Sequence, residues 1–307
     1  MTILLGCGFY FVGYILHTVS LNVNFNTKLK PNCSDGSCMR NRKVKNDTSN
    51  ILILTSGRAG SSFLGEIFKR NDRKTRYVFE PLRKILQNVF IADHLKFKAI
   101  NIISESFRYR NTRNSDQTDQ NIVVKELSIR FPQNGSSSVL ENLMRYSKSW
   151  NMRIIHLIRD PRHVIPSMQR LRWFAGNSTS LEQQIRSVCE TIWSNIKYGR
   201  KRNYALIKDH YKLVVFRNMM IHPYKTAEAL YEFAGMGSVP ASVPAWIKSS
   251  TNGIGNYEGS LSYKTTRNTT KVLSRKIAMS EETSNFVHKH CCNIISFIQE
   301  FQEMENI

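Results

Sequence analysis

The stretch Thr55-Ser56-Gly57-Arg58-Ala59-Gly60-Ser61-Ser62-Phe63 holds glycines, hydroxyls and a single arginine between an apolar run and a helical pattern. Glycine lets a backbone curl so that successive N–H groups point inward, and a following helix N-terminus adds partial positive charge. The chemistry on offer is anion binding. A nucleoside triphosphate loop is excluded, because the Gly-Lys-Ser/Thr ending that serves the β/γ-phosphates and magnesium is missing. A second stretch, Ile154-Ile155-His156-Leu157-Ile158-Arg159-Asp160-Pro161-Arg162, leads on to Ser167. An arginine at the end of a strand and a hydroxyl about two turns into the next helix can converge on one phosphate. Two anion sites of this kind suit a ligand with two separated anionic groups.

Other titratable residues divide between chemistry and packing. Glu80, just past Tyr77-Val78-Phe79, is placed to act as a general base, and a structural carboxylate paired with an arginine is the competing reading. Lys125 lies within an apolar strand pattern and is read as a snorkelling lysine rather than a sulfate or acceptor contact. His156 sits mid-strand and reads as core.

These residues need elements to hold them. Ile51–Leu54 is a short apolar run ended by Thr-Ser-Gly, as in a strand buried on both faces, and Phe63, Leu64, Ile67 and Phe68 follow at helical spacing. Asn121–Leu127, Arg153–Ile158 and Tyr211–Phe216 read as further strands, and Leu181–Tyr198 and Pro223–Ala234 as helices. The alternation predicts an α/β fold with a mainly parallel central sheet flanked by helices. Lys96–Gln120 and Ala245–Thr270 read as polar surface insertions.

The chain has 307 residues and a formal charge of +21, which calls for a polyanionic partner such as an acidic polysaccharide, an anionic membrane or a nucleic acid. Residues 1–23 include the apolar span Ile3–Val23, long enough to cross a bilayer and read as an uncleaved signal anchor. Residues 24–50 are polar and basic and read as a flexible stem, which leaves 51–307 for one catalytic domain. The basic residues after the span, taken by the positive-inside rule alone, would leave the bulk of the chain in the cytosol. Against that stand acceptor sequons at Asn32, Asn46, Asn134, Asn177 and Asn268, which suit a lumen. Cysteine usage points the same way: Cys33 and Cys38 bracket a turn, and Cys189 has both Cys291 and Cys292 as partners open to it, with unpaired thiols the alternative. No Cys-x-x-Cys or His-x-x-x-His spacing accompanies these cysteines, so no metal is expected.

The combination of Arg58-x-Gly-Ser-Ser-Phe-x-Gly-x-x-Phe, Phe79-Glu80-Pro81, and Arg159-Asp-Pro-Arg followed by Ser167 resembles the carbohydrate 6-O-sulfotransferases acting on galactose, N-acetylgalactosamine or N-acetylglucosamine. Trp246-Ile247 with Thr251, and Tyr263-x-Thr-x-Arg267-Asn268, extend the likeness, which runs from about Ile51 to Ile298. The resemblance implies a P-loop-like sulfotransferase fold and a type II Golgi membrane protein with a luminal catalytic domain. The implied sulfuryl donor is 3′-phosphoadenosine 5′-phosphosulfate (PAPS), and the implied acceptor an acidic glycan or glycosaminoglycan. Arg58, Ala59, Gly60, Ser61, Ser62 and Phe63 would hold the 5′-phosphosulfate, with Arg58 and Glu80 catalytic. Arg159 and Ser167 would hold the 3′-phosphate, with Arg267 adding charge. No nucleic-acid partner is implied, and the subunit count stays open between monomer and homodimer. The sequence departs from the family at Phe216-Arg217-Asn218-Met219-Met220, where relatives carry Arg-Tyr-Glu-Asp-Leu, and at Ser274, where a tryptophan is common. Two rivals follow: a P-loop-like kinase, which lacks its magnesium-binding residues here, and a glycan-binding protein without chemistry.

Overall fold

A computed structural model describes residues 49–71, 75–84, 96–108, 121–131, 137–174, 179–201, 205–252, 268–275 and 278–305. The expected signal anchor, nearly all of the stem, and Arg267 lie outside these residues. Among the described residues no helix is long and apolar enough to cross a membrane.

The chain order is β1 (Asn50–Thr55), α1 (Ser61–Lys69), β2 (Thr75–Phe79), a 3-10 turn (Pro81–Lys84), α2 (Lys96–Arg108), β3 (Asn121–Leu127), a 3-10 turn (Ser128–Arg130), α3 (Val139–Met144), β4 (Met152–Ile158), α4 (Pro161–Arg170), α5 (Leu181–Gly199), α6 (Ala205–His210), β5 (Tyr211–Val215), α7 (Phe216–Ile221), α8 (Pro223–Ala234), α9 (Ser242–Thr251), α10 (Thr269–Leu273) and α11 (Glu281–Glu305). The strands form one sheet in the order β2-β3-β1-β4-β5, and every pairing is parallel. This is the expected α/β architecture.

β1 is central because its residues are apolar on both faces. Ile51 and Ile53 pack with Phe63, Leu64, Leu230 and Val243 from α1, α8 and α9, whereas Leu52 and Leu54 pack with Ile103 and Leu140 from α2 and α3. Each such side chain fully removed from water contributes about 1.5–3 kcal/mol before entropy is counted. A third apolar cluster, built on Val188, Ile192, Val287 and Ile294, joins α5 to α11 beyond β4. A Cys189–Cys291 disulfide with a Cα–Cα distance of 5.3 Å crosses it, so Cys291 is the partner taken and Cys292 lies outside this bridge.

The register matters for function. Thr55 pairs with Leu127 on one side and Leu157 on the other, so β1, β3 and β4 end level and their following loops share one edge. Open parallel sheets bind ligands at that carboxyl edge.

Three expectations about the elements need correction. Lys96–Arg108 is not a surface insertion but helix α2, which buries Ala99, Ile103 and Phe107. Those residues recur at i, i+4 and are hidden among Lys, Asn and Ser. The start of the second supposed insertion, through Thr251, belongs to α9, with Ile247 fully buried. The last strand also ends one residue early, because Phe216 is the first residue of α7 with Val215 as its N-cap.

Candidate functional site

The loop from β1 to α1 is shaped by its neighbours as much as by its own residues. A Cβ on Gly60 would lie 2.3 Å from the Phe216 ring, and Gly60 has φ 96°, so only glycine fits there. A Cβ on Gly57 would lie 2.2 Å from Trp173, which packs on the other side. Arg58 is also left-handed, at φ 64°. Left-handed residues at alternate positions, here Arg58 and Gly60, turn successive N–H groups into a concave nest. Gly60 is the N-cap of α1 and no side chain caps that end, which leaves helix N–H groups for an anion. Ala59 is fully buried, Ser61 and Phe63 are buried, and Ser62 is half-buried. Phe63 lies 4.9 Å from the Trp246 ring. The buried Ser56 hydroxyl has no hydrogen-bond partner.

β4 delivers the second group. Arg159 follows its last residue, and its guanidinium lies 4.2 Å over the Phe216 ring while Nη1 donates to the Arg58 carbonyl at 3.3 Å. Asp160 accepts from the Arg162 backbone N–H at 2.9 Å and caps α4, with Pro161 in the first turn. Ser167, inside α4, accepts from Arg58 Nε at 3.1 Å. Sequence spacing placed Arg58 with one anion and Arg159 and Ser167 with another. The structure joins them through Arg58, whose Nε bonds Ser167 and whose carbonyl accepts from Arg159.

Glu80 stands at the same edge, after β2, and is left-handed at φ 45°. Arg58 and Glu80 are thus two of the non-glycine residues with positive φ, a conformation that costs about 1–2 kcal/mol and collects at functional sites. The Glu80 carboxylate is ion-paired to Lys125 Nζ through Oε1 and to Arg130 Nη1 at 2.9 Å through Oε2. Burial pushes Glu80 up, but the Lys125 and Arg130 cations outweigh it and hold the carboxyl below its usual range. Burial also presses the Lys125 ammonium down, against the pull of Glu80. Lys125 is therefore neither snorkelling nor solvated; it is 3% exposed and sits over the Phe79 ring at 4.8 Å.

His156 is core, as its mid-strand position suggests. It is buried with Nδ1 3.1 Å from the Tyr211 hydroxyl, and burial pushes its imidazole down to about 3. A separate cleft of about 520 Å³ lies between α7–α8 and the ends of α9 and α10, lined by His222, Tyr224, Lys225, Thr251 and Asn252 among others.

Sequence reasoning missed Phe216, Trp173, Arg130 and Glu126. Phe216 stood out only as a departure from a familiar pattern, yet its ring touches both the loop glycine and Arg159. The Glu126–Arg130 spacing was visible, but it crosses from a strand into a 3-10 turn, where helical pairing rules say nothing.

The family model described as Sulfotransferase family matches residues 61–239. Carbohydrate sulfotransferase 5 of Mus musculus is 24% identical over 282 residues, covering 70% of this chain and 71% of the relative. Carbohydrate sulfotransferase 6 of Homo sapiens is 23% identical over 271 residues, covering 67% and 68%. Among solved structures, mouse sulfotransferase SULT7A1 complexed with PAP aligns at 11% identity with a TM-score of 0.47, covering 82% of this chain and 89% of that one.

Proposed function

This protein belongs to the sulfotransferase family, and from that premise we propose that it transfers a sulfuryl group from PAPS to a sugar hydroxyl. The hydroxyl is the 6-hydroxyl of galactose, N-acetylgalactosamine or N-acetylglucosamine in an acidic glycan or glycosaminoglycan. One observation carries the reading: Arg58 Nε bonds Ser167 and Arg159 Nη1 bonds the Arg58 carbonyl, gathering two cations and a helix N-terminus at the sheet's carboxyl edge.

PAPS is a donor substrate with anionic groups on both the 3′- and the 5′-oxygen of its ribose. In this reading the N–H groups of the Gly60–Phe63 turn, the Ser61 and Ser62 hydroxyls and Arg58 take the 5′-phosphosulfate. Arg159 and Ser167 take the 3′-phosphate, with Arg267, outside the described residues, as an added cation. The acceptor oxygen attacks sulfur in line, its proton passes to Glu80, and the sulfur–oxygen bond breaks with its electron pair left on the phosphate of PAP. Arg58 and the loop N–H groups stabilise that growing charge, about 3–4 kcal/mol for each well-aimed donor.

The relatives named carbohydrate sulfotransferases support a sugar acceptor, and the charge of +21 supports a polyanionic one. The proposed setting is the Golgi membrane, with residues 1–23 as a signal anchor and the catalytic domain luminal. The Cys189–Cys291 bridge supports an oxidising compartment.

Thermal unfolding with PAP and with ATP tests the donor. A ligand that binds only the native state at one hundred times its Kd adds about 2.7 kcal/mol, several degrees of Tm. PAP is expected to give that shift, ATP a smaller one, and Arg58→Ala to lose it while keeping its fold. A protein that binds acidic glycans but gives no PAP shift would be a glycan binder without this chemistry.

A further inference from the structure

A buried ionic cluster lies beside the donor loop, and the chemistry above uses only part of it. Arg130 Nη1 donates to Glu80 Oε2 at 2.9 Å and to Glu126 Oε1 at 2.7 Å. Glu126 is fully buried and is itself fixed by the backbone N–H groups of Leu82 and Leu127, each at 2.8 Å. Lys125 closes the set on Glu80 Oε1. Two acids and two bases balance, so the cluster stays buried without net charge.

A purely structural tie between β2 and β3 would explain the pairing alone. It explains less well why the cluster stands at the sheet's carboxyl edge, or why Glu80 adopts a left-handed backbone to join it. Ion pairs of this kind can often be replaced by apolar packing without loss of stability, so stability gives little reason to keep one. The bridge does give a reason, because one Arg130 nitrogen, Nη1, ties Glu80 to Glu126, a carboxylate already fixed by two backbone N–H groups.

We infer that Arg130 is a positioning residue for Glu80, itself held in place by Glu126, and that it fixes Oε2 so that Oε1 is the oxygen that takes the acceptor proton. This rests on the reading of Glu80 as the general base. Oε1 is paired to the Lys125 ammonium alone, whereas Oε2 is paired to the Arg130 Nη1 that also holds Glu126. The groups facing Glu80 are Lys125 from β3, Arg130 from the 3-10 turn, and Tyr77 from β2; Glu126 acts through Arg130, and burial holds the Tyr77 phenol neutral by pushing its pKa up.

The test measures sulfuryl transfer to a fixed acceptor against pH, with the PAP-induced Tm shift as a control for fold and donor binding. The variants are Glu80→Gln, Arg130→Met and Arg130→Lys. Arg130→Met is expected to keep the PAP shift, to lose about 10²-fold in kcat, and to move the acid limb of the profile to higher pH, because a cation that favours ionised Glu80 is gone. Arg130→Lys is expected to hold the acid limb near the parent while kcat falls at least tenfold, because lysine ends one bond short of the Nη1 position from which Arg130 joins both carboxylates. Folded Arg130→Met with the parent's kcat and acid limb overturns the inference. Should Arg130→Met not fold, Arg130→Lys decides, and a parental kcat there overturns it equally. Parental turnover in Glu80→Gln instead sinks the base reading itself, whereas an inactive Glu80→Gln beside unaffected Arg130 variants sinks this inference alone.

Discussion

Gly60 shows how much of the site depends on single atoms. Its φ of 96° and the 2.3 Å that would separate a new Cβ from Phe216 make Gly60→Ala both strained and crowded. Because Phe216 also lies under the Arg159 guanidinium, displacing its ring disturbs both anion contacts together. Gly60→Ala is expected to weaken PAP binding at least tenfold while the sheet stays folded, read by calorimetric titration with circular dichroism as the control; unchanged PAP affinity would mean that this loop does not hold the donor. At this scale the loop was legible in the sequence, since Gly, Ser and Arg between a strand and a helix announce an anion site. Arg130 and Phe216 were not, because Glu80 lies 50 positions from Arg130 in the chain, and only the sheet order brings Gly60 and Arg159 to Phe216. Glu80 was legible as a carboxylate near an arginine, and only the structure showed that it meets two cations at once.

Elements carry the site because β1, β3 and β4 end level, and that depends on a dry core. His156 on β4 is part of it. Its imidazole is pushed down to about 3 by burial, against about 6.5 in an unfolded chain. The native state therefore resists a proton that the unfolded state accepts, so stability is full above about pH 6.5 and falls as pH drops towards 3, by about 1.4 kcal/mol per pH unit. Urea unfolding between pH 7 and 5 should show that slope, and His156→Gln should flatten it; an unchanged slope in the variant would assign the acid sensitivity elsewhere. The strands were readable from apolar runs and β1 from its two-faced hydrophobicity. α2 was not, because its buried stripe of Ala99, Ile103 and Phe107 is diluted by polar neighbours. The turn from β5 straight into α7 was missed because Phe216 is as acceptable at the end of a strand as at the start of a helix.

Across the molecule, the parallel order β2-β3-β1-β4-β5 was legible as a class from alternating strand and helix patterns, but the order itself was not. Sequence gives strands in chain order, and only tertiary packing selects which become neighbours. Net charge pointed to a polyanion without choosing one, and the family match narrows the chemistry to sulfuryl transfer. The edge around Arg58, Arg159 and Ser167 is proposed to bind PAPS for transfer to a sugar. Incubating the protein with PAPS labelled in its sulfuryl group and a panel of galactose-, N-acetylgalactosamine- and N-acetylglucosamine-bearing glycans tests it most directly. Label is expected on a sugar 6-hydroxyl with the native protein, with a loss of about 10²- to 10³-fold in that rate with Arg58→Ala; label transferred equally well by Arg58→Ala, or to no glycan by the native protein, would rule out PAPS-dependent transfer at this edge.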